Sequence, residues 1–288
     1  MRLFSILGRF AGSAGYAILL YHSIDPEEKL YSTDPALFRA QMAFLKGQGY
    51  VVSSLRPLYR HIQSGTPIPE KTVFLTFDDG LQNNYDQAYK ILSAFGYTAT
   101  VFLVTGKVGA STDWYHRDSK GMLPNFRILS WLEIEEMSAG GMDFQPHSHN
   151  HPFLTRLDPK TMRQEILTSK KVLEDRIQQP ALVFCHPYGD ANNTTESVVK
   201  ECGFIGSIAN EMGKFRVGDD PFKIKRMDCD KMLLTHPAEA VLAVDLCLQG
   251  TYPSFIRFKR GLAKLGLADK RFEEIDIEES MHERGFPT

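Results

Sequence analysis

The chain has 288 residues, 43% of them hydrophobic and 24% charged, with a formal net charge of -2. That balance suits a folded domain with a sizeable core, and it excludes a disordered chain and a basic nucleic-acid binder. Four cysteines (Cys185, Cys202, Cys229, Cys247) lie far apart with no CxxC pair, which excludes a zinc ribbon and favours free thiols in a reducing, cytoplasmic setting.

Residues 1–14 mix arginines with apolar side chains. Arg9 interrupts the apolar run before it makes the roughly 7–15 residues of a signal core. No run reaches the roughly 18 residues needed to span a bilayer. The segment reads as a short amphipathic stretch suited to a membrane surface. Ala17–Tyr21 then reads as a strand. Pro35–Gly49 places Leu37, Met42 and Leu45 at helical spacing and ends at Gly47 or Gly49. A short strand is expected at Tyr50–Ser53 and a strong, buried one at Val73–Phe77. Asn84–Phe95 reads as a helix closed by Gly96, and Ala99–Val104 as a strand. Gly106–Arg127 is the longest irregular segment, of the kind that forms lids or binding loops.

Further on, Ser130 is suited to capping a helix over Trp131–Ala139, with Glu133 in its first turn. Pro159–Gln178 reads as a charged amphipathic helix, Ala181–Cys185 as a strand, Thr194–Cys202 as a helix and Ile205–Ala209 as a strand. Ala238–Leu248 reads as helical, and the charged residues after Gly250 as a peripheral helix with a frayed end. Repeated strand–helix units of this size predict a parallel sheet flanked by helices, either doubly wound or closed into a barrel.

Two stretches carry chemistry. Phe74-Leu75-Thr76-Phe77-Asp78-Asp79-Gly80 ends an apolar strand on adjacent carboxylates. Like charges there repel each other and are costly to bury without a compensating cation. The dipeptide Asp-Gly is also a common turn, so this stretch alone reads equally well as a polar turn. The second stretch is Gln145-Pro146-His147-Ser148-His149-Asn150-His151, which holds three of the nine histidines. His147 and His151 are four apart, so one helical turn would put both rings on one face. With Asp79 they make a two-imidazole, one-carboxylate set, the kind that holds a hydrolytic zinc ion. His149 is expected to point elsewhere and to play a supporting part.

Thr76-Phe77-Asp78-Asp79-Gly80 followed by His147-Ser-x-x-His151-x-x-Leu154 resembles the polysaccharide deacetylases of the NodB type, carbohydrate esterase family 4. The resemblance spans roughly residues 15 to 230. It implies a distorted (β/α)7-type barrel, a single NodB-like domain over residues 15–235 with a C-terminal helical extension over 236–288. It also implies a hydrolase that removes N-acetyl groups from amino sugars, with an N-acetylated glycan or exopolysaccharide as partner. The same resemblance makes Asp78 the general base and Asp79, His147 and His151 the ligands of one divalent ion. Zinc is favoured, with cobalt, nickel or iron as alternatives.

A third family stretch, usually Arg-x-Pro-Tyr-Gly, is Cys185-His186-Pro187-Tyr188-Gly189 here. Pro187 is carried over with the substrate site, and the Tyr188 backbone N–H as the oxyanion donor. The arginine that steadies the base is replaced by Cys185, and its acidic partner before a tryptophan by Ser130. What orients Asp78 is left open, with His186 as a weak candidate. For the general acid there are two candidates. His236, in Leu233-Leu234-Thr235-His236, imitates the usual late motif. His22, in Leu20-Tyr21-His22-Ser23, resembles the permuted order of poly-N-acetylglucosamine deacetylases and is preferred. Trp114, Tyr115 and Trp131 are candidate stacking surfaces for sugar rings, although core positions would use them equally well. The competing readings are a non-catalytic sugar-binding module on the same fold and a metal-dependent phosphoesterase. Nothing in the sequence points to an oligomeric state.

Overall fold

The computed structural model describes residues 15–27, 31–114, 125–229 and 237–251. Its centre is an all-parallel sheet whose main path runs β7-β6-β5-β1-β10-β9-β8. The strands are β1 (Ala17–Tyr21), β5 (Thr72–Phe77), β6 (Thr100–Leu103), β7 (Asp143–Pro146), β8 (Val183–Cys185), β9 (Gly206–Met212) and β10 (Ile224–Asp228). A short β4 (Val51–Ser53) pairs with the first half of β5, and β6 pairs with its last two residues. The tiny strands β2 (Ser23–Ile24) and β3 (Ser32–Thr33) pair beside the sheet.

Alternation along the strands divides the side chains into two layers. Ile18, Phe74, Phe102, Val183, Cys185, Ile208 and Ile224 form an inner cluster. Leu19, Tyr21, Leu75, Phe77, Val101 and Phe184 join an outer cluster under the helices. The helices are α1 (Pro35–Gly47), α2 (Arg56–Ser64), α3 (Lys90–Phe95), α4 (Trp131–Ala139), α5 (Pro159–Ile177), α6 (Asn193–Glu201) and α7 (Pro237–Gln249). Phe38 and Met42 of α1, Ile134 and Met137 of α4 and Ile166 and Leu173 of α5 fill the outer cluster. Leu58 and Tyr59 of α2 instead enter the inner one, at the end where the strands begin.

The sheet is nearly closed. Its two ends, β7 and β8, are joined by side chains. Gln145 Oε1 accepts from Leu182 N at 2.7 Å and Val183 N at 3.0 Å. One turn further along, the His147 ring bonds the Cys185 carbonyl at 2.9 Å. Behind Gln145, the buried Asp143 carboxylate accepts from Tyr59 Oη and Thr100 Oγ1, each at 2.8 Å. Burial raises the Asp143 pKa against these hydrogen bonds.

Several elements depart from the expectation. Asn84–Phe95 is not one regular helix: Asn84–Tyr89 is a π-helical segment, and α3 follows it. Such segments recur beside functional sites, and here Asn84 Nδ2 donates to the His22 carbonyl at 2.8 Å. The helix α2 and the strand β10 were not foreseen. β10 reads Ile-Lys-Arg-Met-Asp, too charged to look like a buried parallel strand. The helical run after Pro237 is present as α7, which packs on α1. Residues 1–14 and the charged tail from 252 onward, like Tyr115 and His236, lie outside the described residues.

The side-chain seam leads to a stability prediction. Replacing Gln145 with Leu leaves two strand N–H groups without their acceptor, which should cost about 2–4 kcal/mol in chemical denaturation. A loss of less than about 0.5 kcal/mol would mean that the seam does not depend on this amide.

Candidate metal centre and active site

The same alternation that builds the core aims the polar residues. Thr76 and Asp78 continue the inward face of β5, His147 that of β7, Cys185 that of β8 and Arg226 that of β10. All five are buried. They converge at the end where the parallel strands finish, the usual place for a site in such sheets.

Asp79 follows Asp78 at φ 69°, and Gly80 at φ 71°. The left-handed turn separates two adjacent carboxylates that would otherwise share one environment. A side chain at Gly80 would also run into Leu103. Asp79 Oδ1 lies 3.6 Å from His147 Nε2 and 3.3 Å from His151 Nε2. Donors bound at about 2.0–2.1 Å to a tetrahedral ion sit roughly 3.3 Å from one another, so the spacing fits one shared ion. The protonation state fits as well. His147 bonds the Cys185 carbonyl through Nδ1, which requires the proton there and leaves Nε2 as a lone-pair donor. Burial pushes the His147 pKa down to about 4, so the ring is neutral at pH 7. Burial also works against the Asp79 carboxylate, but its hydrogen bond with His151 and the surrounding imidazoles hold its pKa well below the usual range. These three residues could therefore hold a divalent metal.

The histidine pair does not lie on a helix, as its spacing had predicted. β7 ends at Pro146, and the chain turns back with positive φ at Ser148 (62°) and His151 (60°). Local bonds hold this strained turn. His151 N donates to Ser148 Oγ at 2.9 Å, and Glu165 of α5 accepts from His149 N, Asn150 N and Asn150 Nδ2. His149 does point away, to Thr105 Oγ1 at 3.0 Å.

Asp78 is held differently. Arg226 donates Nη1 to Oδ1 and Nη2 to Oδ2, each at 2.7 Å, in a fork-to-fork pair. Arg226 also donates to Thr76 Oγ1 at 3.2 Å, and Thr76 to the Leu19 carbonyl at 3.0 Å. Burial would raise the Asp78 pKa, but the guanidinium overcomes it and keeps the carboxyl below its usual value. The arginine missing from position 185 is thus supplied from β10. Cys185 sits beside the pair, its Sγ 3.4 Å from Arg226 Nη2 and 3.7 Å from Asp78 Oδ2. His186 does not take that part: it is buried, and neither ring nitrogen has a hydrogen-bond partner among the described residues. The sequence contained Arg226, but in a stretch without a recognisable motif.

A second donor group, Asp78, His147 and Cys185, also lies close enough to hold an ion. The two groups share His147, so they are alternatives rather than a two-metal pair. The second is disfavoured because Asp78 already has a cation, and burial pushes the Cys185 thiol well above its usual pKa, against the thiolate a metal needs.

His22 follows β1, and its charge would help to depress both aspartates. It lies 5.3 Å from the Tyr31 ring. Trp114 stacks on His151 at 4.5 Å, while Tyr188 meets His151 edge-on at 4.5 Å and stacks on Phe153 at 4.0 Å. Tyr188 itself has φ 59° in the turn after Pro187 and is 38% exposed. Trp131, the other described candidate for stacking on sugar, packs at the start of α4 under the Arg176 guanidinium, 5.3 Å from the ring centre.

The comparisons with known proteins agree with this geometry. Residues 65–206 match the family model described as polysaccharide deacetylase. This segment, just under half of the chain, is similar to the polysaccharide deacetylases. The matched segment contains Asp78, Asp79, His147, His151 and Tyr188, but neither His22 nor Arg226. YxkH of Bacillus subtilis (strain 168), named for the same family, is 27% identical over 68% of this chain and 64% of its own length. The poly-beta-1,6-N-acetyl-D-glucosamine N-deacetylase of Staphylococcus aureus (strain MSSA476) is 26% identical over 73% of this chain and 77% of that protein. Among solved structures, the deacetylase PplD of Streptococcus pyogenes in complex with acetate has a TM-score of 0.64 at 26% identity. It covers 75% of this chain and 92% of that one. IcaB from Ammonifex degensii shares the fold, with a TM-score of 0.68 at 22% identity over 82% of this chain and 98% of that one.

The Arg226–Asp78 pair sets a pH-dependent expectation. Because the Asp78 pKa is held below its unfolded value, the pair's contribution is complete above about pH 4 and is lost as pH falls through the folded pKa. Arg226→Met should therefore cost about 3–5 kcal/mol at pH 7 by leaving a buried carboxylate unpaired. In the metal-free protein the deficit should shrink on acidification. A deficit that stays constant from pH 7 down to pH 3 would show that lost packing, not lost charge, is responsible.

Proposed function

We propose that the chain is a metal-dependent deacetylase that hydrolyses the N-acetyl amide of amino sugars in a polysaccharide or glycan precursor. The observation that carries this is the buried Asp79–His147–His151 donor set beside a second carboxylate, Asp78, that is held ionised by Arg226. Zinc suits two imidazoles and one carboxylate best, and cobalt, nickel or iron would fit the same donors. Such an ion supplies Lewis acidity toward an amide carbonyl and toward water. In this scheme Asp78 takes the proton from the attacking water, with Arg226 fixing which oxygen lone pairs face the site. The Tyr188 backbone N–H donates to the oxygen that becomes negative. His22 delivers a proton to the amine nitrogen as its bond to the acetyl carbon breaks, leaving acetate and a free amine. Trp114 and Pro187 line the approach of the sugar.

The names of the related proteins support the substrate class, an N-acetylated polysaccharide of the poly-N-acetylglucosamine kind. The fork on Asp78 gives the second carboxylate its cation, which weighs against a non-catalytic sugar-binding module. The shared His147 weighs against a two-metal phosphoesterase.

The test is acetate release from a panel of N-acetylated oligosaccharides, read beside metal content. Asp78→Asn should retain metal and lose turnover by about 100-fold or more. Asp79→Asn should lose metal affinity and regain part of its activity at high metal concentration. His22→Ala should also lose about 100-fold. The reverse pattern of metal retention would exchange the roles of the aspartates, and full turnover in all three variants would end the hydrolase reading.

A further inference from the structure

The two histidines of the metal centre are held in different ways. His147 is fixed through its ring, because Nδ1 bonds the Cys185 carbonyl at 2.9 Å. His151 lacks such an anchor: its Nδ1 is buried and has no hydrogen-bond partner among the described residues. A ligating imidazole usually gives its second ring nitrogen to an oxygen that sets its orientation. Trp114 and Tyr188 flank the His151 ring and confine its plane, but neither contact bonds Nδ1. The place of His151 Nε2 therefore depends on the backbone that carries the ring.

That backbone is a strained turn braced from two sides. Ser148 and His151 both have positive φ, at 62° and 60°. Left-handed residues in a turn aim successive N–H groups at one point and form a concavity suited to an anion. Here the anion is built into the fold. Glu165 Oε2 accepts from His149 N at 3.2 Å and from Asn150 N at 2.9 Å. Its Oε1 accepts from Asn150 Nδ2 at 2.6 Å. The carbonyls of the same turn go the other way, to the chain leaving β6. Thr105 N donates to the Ser148 carbonyl at 3.3 Å and Gly106 N to the His149 carbonyl at 2.8 Å. The approach is so close that a Cβ at Gly106 would lie 2.6 Å from that carbonyl oxygen.

We infer that Glu165 is a positioning residue of the metal centre. Its carboxylate clamps the histidine turn against Thr105 and Gly106, so that His151 Nε2 stands beside Asp79 before an ion arrives. It does through the backbone what the Cys185 carbonyl does for His147 through the ring. The cost of two left-handed residues is then met during folding and not by the incoming ion, which raises affinity by preorganisation. The inference rests on the metal centre of the deacetylase reading and adds to it a determinant of metal affinity. His149 is only half-buried and Asn150 is exposed, so water can take over their N–H groups when the carboxylate is removed. The fold should survive that loss.

Zinc affinity, measured by competition with a chromophoric chelator beside chemical denaturation of the metal-free full chain, tests this. Glu165→Ala should bind zinc about 10–100-fold more weakly, the usual effect of removing an outer partner of a metal ligand. Its denaturation midpoint without metal should stay close to that of the parent. Glu165→Gln keeps an acceptor for both backbone N–H groups and should recover most of the affinity. Gly106→Ala displaces the turn from the other side and should weaken zinc binding as well, which decides the question if Glu165→Ala does not fold. Zinc affinity within twofold of the parent in Glu165→Ala, or in Gly106→Ala should that be the variant that folds, would overturn the inference. A loss that glutamine does not recover would overturn it too. A parent that binds no zinc would sink the metal-centre reading and this inference together, whereas tight binding indifferent to Glu165 and Gly106 would remove this inference alone.

Discussion

Two carboxylates on consecutive residues cannot both be buried as anions in one environment, because each loses its hydration and repels the other. The inner end of this barrel is organised around that constraint. A left-handed turn at Asp79 sends the two side chains to separate partners. Asp78 receives a permanent cation, the Arg226 guanidinium. Asp79 receives two imidazoles, a ligand set that a divalent ion would complete. The division also sorts chemistry. A carboxylate whose charge is matched by arginine stays ionised and directional, whereas one facing two imidazoles is ready for a metal.

Backbone strain marks the same place. Asp79, Ser148, His151 and Tyr188 all have positive φ without being glycine. Each such residue costs on the order of 1–3 kcal/mol and persists only where its surroundings enforce it. Here the enforcement is visible: Glu165 and Ser148 brace the histidine turn, and Trp114 and Tyr188 enclose the His151 ring. The closed β7–β8 seam adds to this, since the His147 bond to the Cys185 carbonyl both joins the strands and sets the ring's tautomer.

The sequence made the donor set legible because Asp78-Asp79-Gly80 and His147-x-x-x-His151 are compact signals at strand ends. Strand–helix alternation likewise gave a parallel sheet flanked by helices, with the resemblance choosing the barrel, and the cap at Ser130 marks a real helix start. What stayed hidden was long-range pairing. Arg226 is 148 residues from Asp78 in the chain and sits in a strand that reads as polar. Its purpose appears only when β10 lies next to β1. A missing arginine at position 185 therefore left open what orients Asp78, and the charge comes from another strand. The histidine spacing suited one helical turn, but local hydrogen bonds to Ser148 and Glu165 hold a non-helical turn there instead.

The account depends on which carboxylate faces the metal, and X-ray absorption of the zinc- or cobalt-loaded protein measures this most directly. The account predicts a first shell of nitrogen and oxygen donors alone, at about 2.0–2.2 Å, with two imidazoles in it. A sulfur donor at about 2.3 Å would place the ion on Cys185 with Asp78 and His147, and would contradict the division of labour between the two aspartates.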